Sequence, residues 1–158
     1  MPDELRMLSG AQACALARKI LSVAPMLHKV PPERVLSELG WPHIPHERTT
    51  TRYGDAGVET GNGAVNLAGD GSASTVSVPV VSPPPRPMTA EYEAFKQDAF
   101  SVAGRALIAE FGRPAKVAGS GGNTASLRWF VDDAALTLTR EPLGASLRAW
   151  RRSDLEET

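Results

Sequence analysis

A long amphipathic helix followed by a hairpin pattern, between Thr89 and Arg152, constrains the fold more than any other feature of the chain. Thr89 is a suitable N-cap, and Glu91 and Glu93 place negative charge in the first turn, where the helix dipole favours it. The spacing predicts a helix to about Phe111, ended by Gly112. Its apolar face would comprise Tyr92, Phe95, Ala99, Val102, Ala103, Ala106 and Leu107, as expected for a helix lying across a sheet.

Alternating apolar and polar residues after this helix predict β-strands. Residues 125–140 read as a hairpin that turns at Asp132-Asp133, and residues 141–144 read as a second turn. Residues 145–151 are then a third strand, with a short final helix as the alternative. The Gly/Ser-rich stretch 118–124 is predicted to be a flexible, exposed loop.

The N-terminal half predicts two helices and then a meander of strands. Ser9 and Gln12 have capping-box spacing for a first helix that Pro25 ends. Pro31-Pro32 then opens a short second helix, with Gly40 as its C′ residue. From residue 44 to 81 the composition favours three or four antiparallel strands, of which 73–81 is the clearest. Pro79 indicates an edge position or an early strand end.

These elements together predict an α+β fold. We expect an antiparallel β-sheet of three to four strands, then two to three more, with a long central helix and N-terminal helices packed on one face. Residues 1–158 form one domain in this interpretation, with a frayed acidic tail at 154–158. The proline run 83–87 is interpreted as a stiff crossover between sheet and helix, and Trp41 as a packing residue of the core.

Composition favours a soluble, cytoplasmic protein. The net charge is −1, from 17 basic and 18 acidic residues, which gives no electrostatic footprint for nucleic acid or an anionic membrane. Cys14 is the only cysteine, so no intramolecular disulfide can form. The N-terminus lacks a basic signal region, and the longest apolar run is too short and too charged to span a bilayer.

Motifs for catalysis or cofactor binding are not recognisable. His43 and His46 are separated by Pro45, which spoils the facing geometry of a metal pair. The glycine pairs lack the helix context of a phosphate loop, and no nucleophile elbow occurs. Asp132-Asp133 is better explained by turn chemistry than by acid–base work. The expectation is a non-enzymatic protein without cofactor or metal.

Arginine and tryptophan residues near the C-terminus form the candidate site. Arg148 and Arg151 flank Trp150, and Trp129 lies in the preceding hairpin. Tryptophan and arginine are enriched at the energetic centres of protein interfaces. These four residues are therefore predicted to contact a protein partner, although a structural role for the tryptophans is the alternative. A homodimer is also compatible with this composition.

Several short motifs resemble those of an uncharacterised actinobacterial family of small cytoplasmic αβ proteins. They are Leu36-x-x-Leu39-Gly40-Trp41, Phe100-x-x-x-Gly104-x-x-Leu107, Phe111-Gly112-x-Pro114, Leu127-Arg128-Trp129 and Leu136-x-Leu138. The segment from the helix to the hairpin is also similar to immunity proteins of bacterial polymorphic toxins. The element order is similar to secretion-chaperone-like folds.

The resemblance implies binding rather than catalysis. The leading hypothesis is an immunity-type protein that neutralises a cognate toxin by covering its active site. A secretion chaperone or adaptor that binds an extended export substrate is the second hypothesis. A small-molecule-binding protein or enzyme whose site no motif marks is the third.

Overall fold

The described part of the chain forms four α-helices and eight β-strands. The computed structural model describes residues 5–48, 50–119 and 124–156. The helices are α1 (Gly10–Val23), α2 (Pro32–Leu39), α3 (Ala90–Phe111) and α4 (Arg152–Glu156), with a 3-10 turn at Ala24–Met26. The strands are β1 (His43–Arg48), β2 (Thr51–Gly54), β3 (Gly63–Leu67), β4 (Ala73–Pro79), β5 (Lys116–Ala118), β6 (Ala125–Val131), β7 (Ala134–Glu141) and β8 (Gly144–Arg151).

All eight strands belong to one antiparallel sheet in the order β1-β2-β3-β4-β8-β7-β6-β5. The N-terminal meander and the C-terminal hairpins meet where β4 pairs with β8, for example at Val78 and Leu147. The predicted α+β fold is confirmed, and the two groups of strands make a single sheet. Residues 83–87 connect β4 to α3 as the proline run predicts.

The predicted helix boundaries are confirmed by their caps. Ser9 and Gln12 form a complete capping box at α1, and the Thr89 hydroxyl accepts the backbone N–H of Tyr92 at α3. Gly40 ends α2 in a left-handed conformation, with φ of 70°. Each cap satisfies backbone groups that a helix terminus would otherwise leave unpaired.

Helices α1, α2 and α3 pack on one face of the sheet. Two cross-strand rows of side chains form the floor of this core: Val76, Ala149, Leu136 and Trp129, and then Val78, Leu147, Leu138 and Leu127. Gly104 of α3 lies over Leu127 and Leu138, which places the middle of the helix on the second row. At the other end, the ring of Trp41 lies directly over Gly63 and is 3% exposed, so its predicted packing role is confirmed.

The face predicted for α3 needs two corrections. Val102 is 36% exposed, because the buried stripe runs through Tyr92, Lys96, Ala99, Ala103 and Leu107 and leaves it to one side. Lys96 is buried, at 1% exposure, although a lysine was not expected there. Its aliphatic stem packs in the core while its ammonium group reaches polar atoms at the end of β7.

Other corrections concern the strands and the C-terminus. Residues 116–118 form β5, so position 118 belongs to a strand and not to the predicted loop 118–124, of which residues 120–123 lie outside the described part. Pro79 is the last residue of β4, so the predicted early strand end is confirmed. The alternative prediction, an edge position, is wrong, because β4 lies inside the sheet between β3 and β8. Asp154, the first residue of the predicted acidic tail, lies in α4, and its carboxylate bonds to His28 at 2.9 Å; residues 157–158 lie outside the described part.

Candidate functional site: the open face of the sheet

One face of the sheet is left without a helical layer. We call the face opposite α1–α3 the open face; in the described part of the chain none of these three helices packs on it. Strand alternation places on it the residues that lie between the core positions. Across the sheet the register aligns Tyr53, Ala64, Ser77, Arg148, Thr137, Arg128 and Lys116 in one row.

A second row on the open face is aromatic. Trp150 and Phe130 flank Ala135 on β8, β6 and β7, and the small alanine side chain leaves room for both rings. The guanidinium carbon of Arg148 is 5.5 Å from the Trp150 ring centroid. That of Arg152 is 4.6 Å from the Phe130 centroid. Both distances are within the range of cation–π attraction, so the arginines hold the rings in place.

We call the following six residues the Arg–aromatic cluster: Arg128, Phe130, Thr137, Arg148, Trp150 and Arg152. All but Thr137 are partly exposed, and Thr137 is 6% exposed between Arg128 and Arg148. Successive strands lie about 4.8 Å apart, which separates the backbones of the two arginines by roughly 10 Å. The cluster is therefore a compact surface of fixed rings with positive charge among them.

Three polar atoms in the cluster are buried without a hydrogen bond: Arg128 Nε, Thr137 Oγ1 and Trp150 Nε1. A buried polar atom without a partner costs about 1–3 kcal/mol. Such atoms are rare, and three on neighbouring strands mark a local excess of unused hydrogen-bonding capacity.

The charge of the cluster is uncompensated at its centre. Among the described residues, no carboxylate lies within ion-pairing distance of Arg128 or Arg148. Other arginines of the chain do have such partners, for example Arg18 with Glu110 at 2.9 Å and Arg52 with Glu33 at 3.4 Å. The pair Arg128 and Arg148 is thus left available for an external acid.

A groove of about 470 Å³ adjoins the cluster at Arg148. Its walls include Tyr53 of β2, Pro84 of the crossover and Leu143 of the β7–β8 turn, and Leu143 is 71% exposed. The turn is held by Lys96, whose ammonium donates to the carbonyl oxygens of Glu141 at 2.8 Å and Pro142 at 3.0 Å. A buried cation inside α3 therefore fixes one wall of an exposed groove.

The structure separates the four residues predicted as a partner interface. Arg148 and Trp150 lie together on the open face, as residues two apart on a strand do. Trp129 does not belong to this surface: it is 2% exposed, and its indole N–H donates to the Gly112 carbonyl at 2.8 Å. Arg151 lies on the opposite face of β8, in a cavity with Pro25 and Lys29 that Arg152 also lines.

The sequence prediction did not include Arg128 and Phe130 as neighbours of Trp150. The alternation of β6 was visible, and it already assigned Arg128 and Phe130 to the face opposite Trp129. Turn length fixes the register of a hairpin, and two-residue turns at 132–133 and 142–143 pair Trp150 with Ala135 and Ala135 with Phe130. The strand alternation alone does not bring Phe130 next to Trp150.

The described residues hold no group of three side chains suited to binding a metal ion. None of the helices in the described part is both long and apolar enough to cross a membrane. Cys14 is buried in α1, its Sγ donates to the Ala106 carbonyl at 3.3 Å, and burial raises the pKa of its thiol, with Glu110 adding to the effect. The thiol is therefore protonated at neutral pH and faces the core rather than the open face.

The fold and the open face define a class: an α+β protein whose antiparallel sheet carries helices on one side and a bare Arg–aromatic surface on the other. Residues 11–148 match a family of unknown function, DUF6301. The chain belongs to this family.

A solved structure with a similar fold is a DUF4309 family protein (YjgB) from Bacillus subtilis subsp. subtilis str. 168. The TM-score is 0.52 at 10% identity, over 87% of this chain and 96% of that one, so the similarity concerns the fold alone. No curated protein matches the sequence significantly.

Proposed function

We propose that this chain is a non-enzymatic protein-binding module, and that it is an immunity-type protein that neutralises a cognate toxin by covering the toxin's active site. The observation that carries the proposal is the Arg–aromatic cluster on the open face. A sheet face without a covering layer is a broad, rigid platform. Its fixed aromatic rings lose little conformational entropy when a partner binds.

The composition of the cluster fits a binding surface better than a catalytic one. Tryptophan and arginine dominate the residues whose removal weakens protein complexes most. Arg148 and Trp150 contact each other at the middle of the sheet, and small or polar side chains such as Ser77 and Ser146 surround them. That arrangement, large anchors within a polar rim, matches the anatomy of protein interfaces.

We base the immunity assignment on the resemblance to immunity proteins that the sequence motifs between α3 and β7 suggest, together with this surface. An immunity protein needs no chemistry of its own, because it acts by occupying the toxin. It does need a surface that is ordered before binding. The cation–π contacts at Trp150 and Phe130 provide that order.

The first experiment is affinity capture of the tagged protein from its native cells, with the captured proteins identified and their stoichiometry measured. The candidate partner is then produced with and without this chain in a host cell, and cell survival is counted. The proposal expects one stoichiometric partner that is toxic alone and harmless in the presence of this chain. A partner that is not toxic, or whose toxicity this chain does not reduce, contradicts the immunity assignment.

Matched variants locate the binding surface. Trp150→Ala removes a large anchor on the open face. We expect the binding free energy to weaken by about 2 kcal/mol, which raises the dissociation constant roughly thirtyfold. Arg151→Ala, on the other face of the same strand, is the control and is expected to leave affinity within about twofold of the parent. Equal losses in the two variants would count against an interface on the open face.

A second candidate, a secretion chaperone or adaptor, is favoured by the edge strand β5. Its three residues are exposed, Val117 is 71% exposed, and one of its edges carries no described strand. Such an edge can accept an extended segment as an added strand. Val117→Pro, which removes a backbone donor, would abolish binding in that case and leave binding by the open face unchanged.

A further inference from the structure

We propose that the partner is recognised through an acidic segment, with its carboxylates over Arg128 and Arg148 and an apolar side chain in the groove beside Leu143. This inference rests on the proposed function and specifies the chemistry of the partner. It is carried by charge complementarity and by the continuity of the cluster with the groove.

Two arginines, Arg128 and Arg148, place positive charge at the centre of the open face. Arg128 and Arg148 face each other across Thr137, and no carboxylate of the described chain pairs with either. Two like charges at this spacing repel each other, and an acid placed between them relieves the repulsion. Guanidinium groups bind carboxylates through two parallel hydrogen bonds, which makes arginine well suited to this task.

The groove orients the segment. Arg148 lines both the groove and the cluster, so the two are continuous. The groove is also lined by Glu141 and by Leu143, which is 71% exposed. An acidic residue would be repelled by Glu141, whereas an apolar side chain would cover Leu143. The segment therefore places its apolar residue toward the β7–β8 turn and its acidic residues toward β6.

A nucleic acid is the competing ligand for an arginine–aromatic surface, and the geometry disfavours it. Single-stranded nucleic acid binds by stacking its bases on open aromatic faces. Here guanidinium groups already cover the rings, at 5.5 Å for Trp150 and 4.6 Å for Phe130. The chain also carries a net charge of −1, which gives no long-range attraction for a polyanion.

The test is a selection of random peptides displayed on phage against the immobilised full chain, followed by affinity measurements on the selected peptides. We expect sequences that combine Asp or Glu with a neighbouring apolar residue. The double variant Arg128→Gln with Arg148→Gln should bind them at least about tenfold more weakly, and Arg151→Gln should bind them as the parent does. Raising the ionic strength should weaken binding to the parent and have little effect on the double variant.

Several results would overturn the inference. They are selected peptides without acidic enrichment, equal affinity in the double variant, or tighter binding of a single-stranded oligonucleotide than of any acidic peptide. Circular dichroism and thermal unfolding establish whether the variants fold. If the double variant does not fold, the salt dependence of binding to the parent still tests the inference. A toxin that binds the double variant as well as the parent would leave the proposed function standing and refute this inference.

Discussion

Replacing Lys96 by methionine is a sharp test of how the structure holds the groove. The methionine keeps most of the aliphatic stem and removes the ammonium group. That group donates to the carbonyl oxygens of Glu141 and Pro142 and lies 3.2 Å from a carboxylate oxygen of Glu93. The Glu93 side chain is 42% exposed, so solvent screens the ion pair and it contributes at most about 1 kcal/mol.

The two bonds to carbonyl oxygens dominate the expected loss. A hydrogen bond from a charged donor contributes about 1.5–3 kcal/mol, and the desolvation of the buried ammonium offsets part of the total. We expect Lys96→Met to lose about 2–3 kcal/mol of unfolding free energy. For a chain of this size that lowers Tm by roughly 4–12 °C.

The assay combines urea denaturation with hydrogen exchange. Lys19→Met, at an exposed position of α1, is the control and should change stability by less than about 0.5 kcal/mol. In Lys96→Met the amides of the β7–β8 turn should also exchange faster, because the turn loses its anchor. A variant as stable as the parent, or more stable, would refute the reasoning, since replacing a buried charge by an apolar group can also stabilise a protein.

Three further predictions concern packing and titration. Gly63→Ala places a methyl group inside the Trp41 ring and should cost about 1–3 kcal/mol; an unchanged urea midpoint would show that the ring moves aside freely. Because Cys14 is buried and its thiol pKa is raised, a thiol reagent should label it far more slowly in the native protein than in urea. Equal rates would contradict its burial. Hydrogen bonds from the Ser72 hydroxyl and N–H lower the pKa of Asp70, so its folded-state pKa lies below the unfolded value. The stabilisation is therefore present above the unfolded pKa and is lost as the pH falls through the folded one. Asp70→Asn should be less stable than the parent near neutral pH and equal to it in acid, and a difference that grows in acid would refute the assignment.

Local signals explain why much of the fold could be predicted. Ser9, Thr89 and Gly40 act within one turn of their own positions, and each marks the helix boundary that the structure has. The β6–β7 turn at Asp132 is similarly local: Asp132 adopts a positive φ of 53°, a conformation that aspartate tolerates better than most residues. These features depend on neighbours in sequence and need no knowledge of the tertiary structure.

The remaining features depend on contacts between distant segments. Lys96 is buried because a turn some forty-five residues later supplies its acceptors. The carboxylate of Asp154 bonds to His28, which lies 126 residues earlier in the sequence. The cluster itself needs the pairing of β6 with β7 and of β7 with β8 to bring Arg128 near Arg148. Trp129 could have been assigned to the core, since alternation places it beside Leu127 on the inner face.

The most direct measurement of the central claim is quantitative affinity capture with three forms of the protein. They are the parent, a double variant with Arg148→Ser and Trp150→Ser, and the control Arg151→Ser, each first shown to be folded. The account predicts one stoichiometric partner that the parent and the control retain and that the double variant loses. A partner retained equally by all three forms, or no partner captured by the parent, would contradict the claim that the open face is a protein-binding surface.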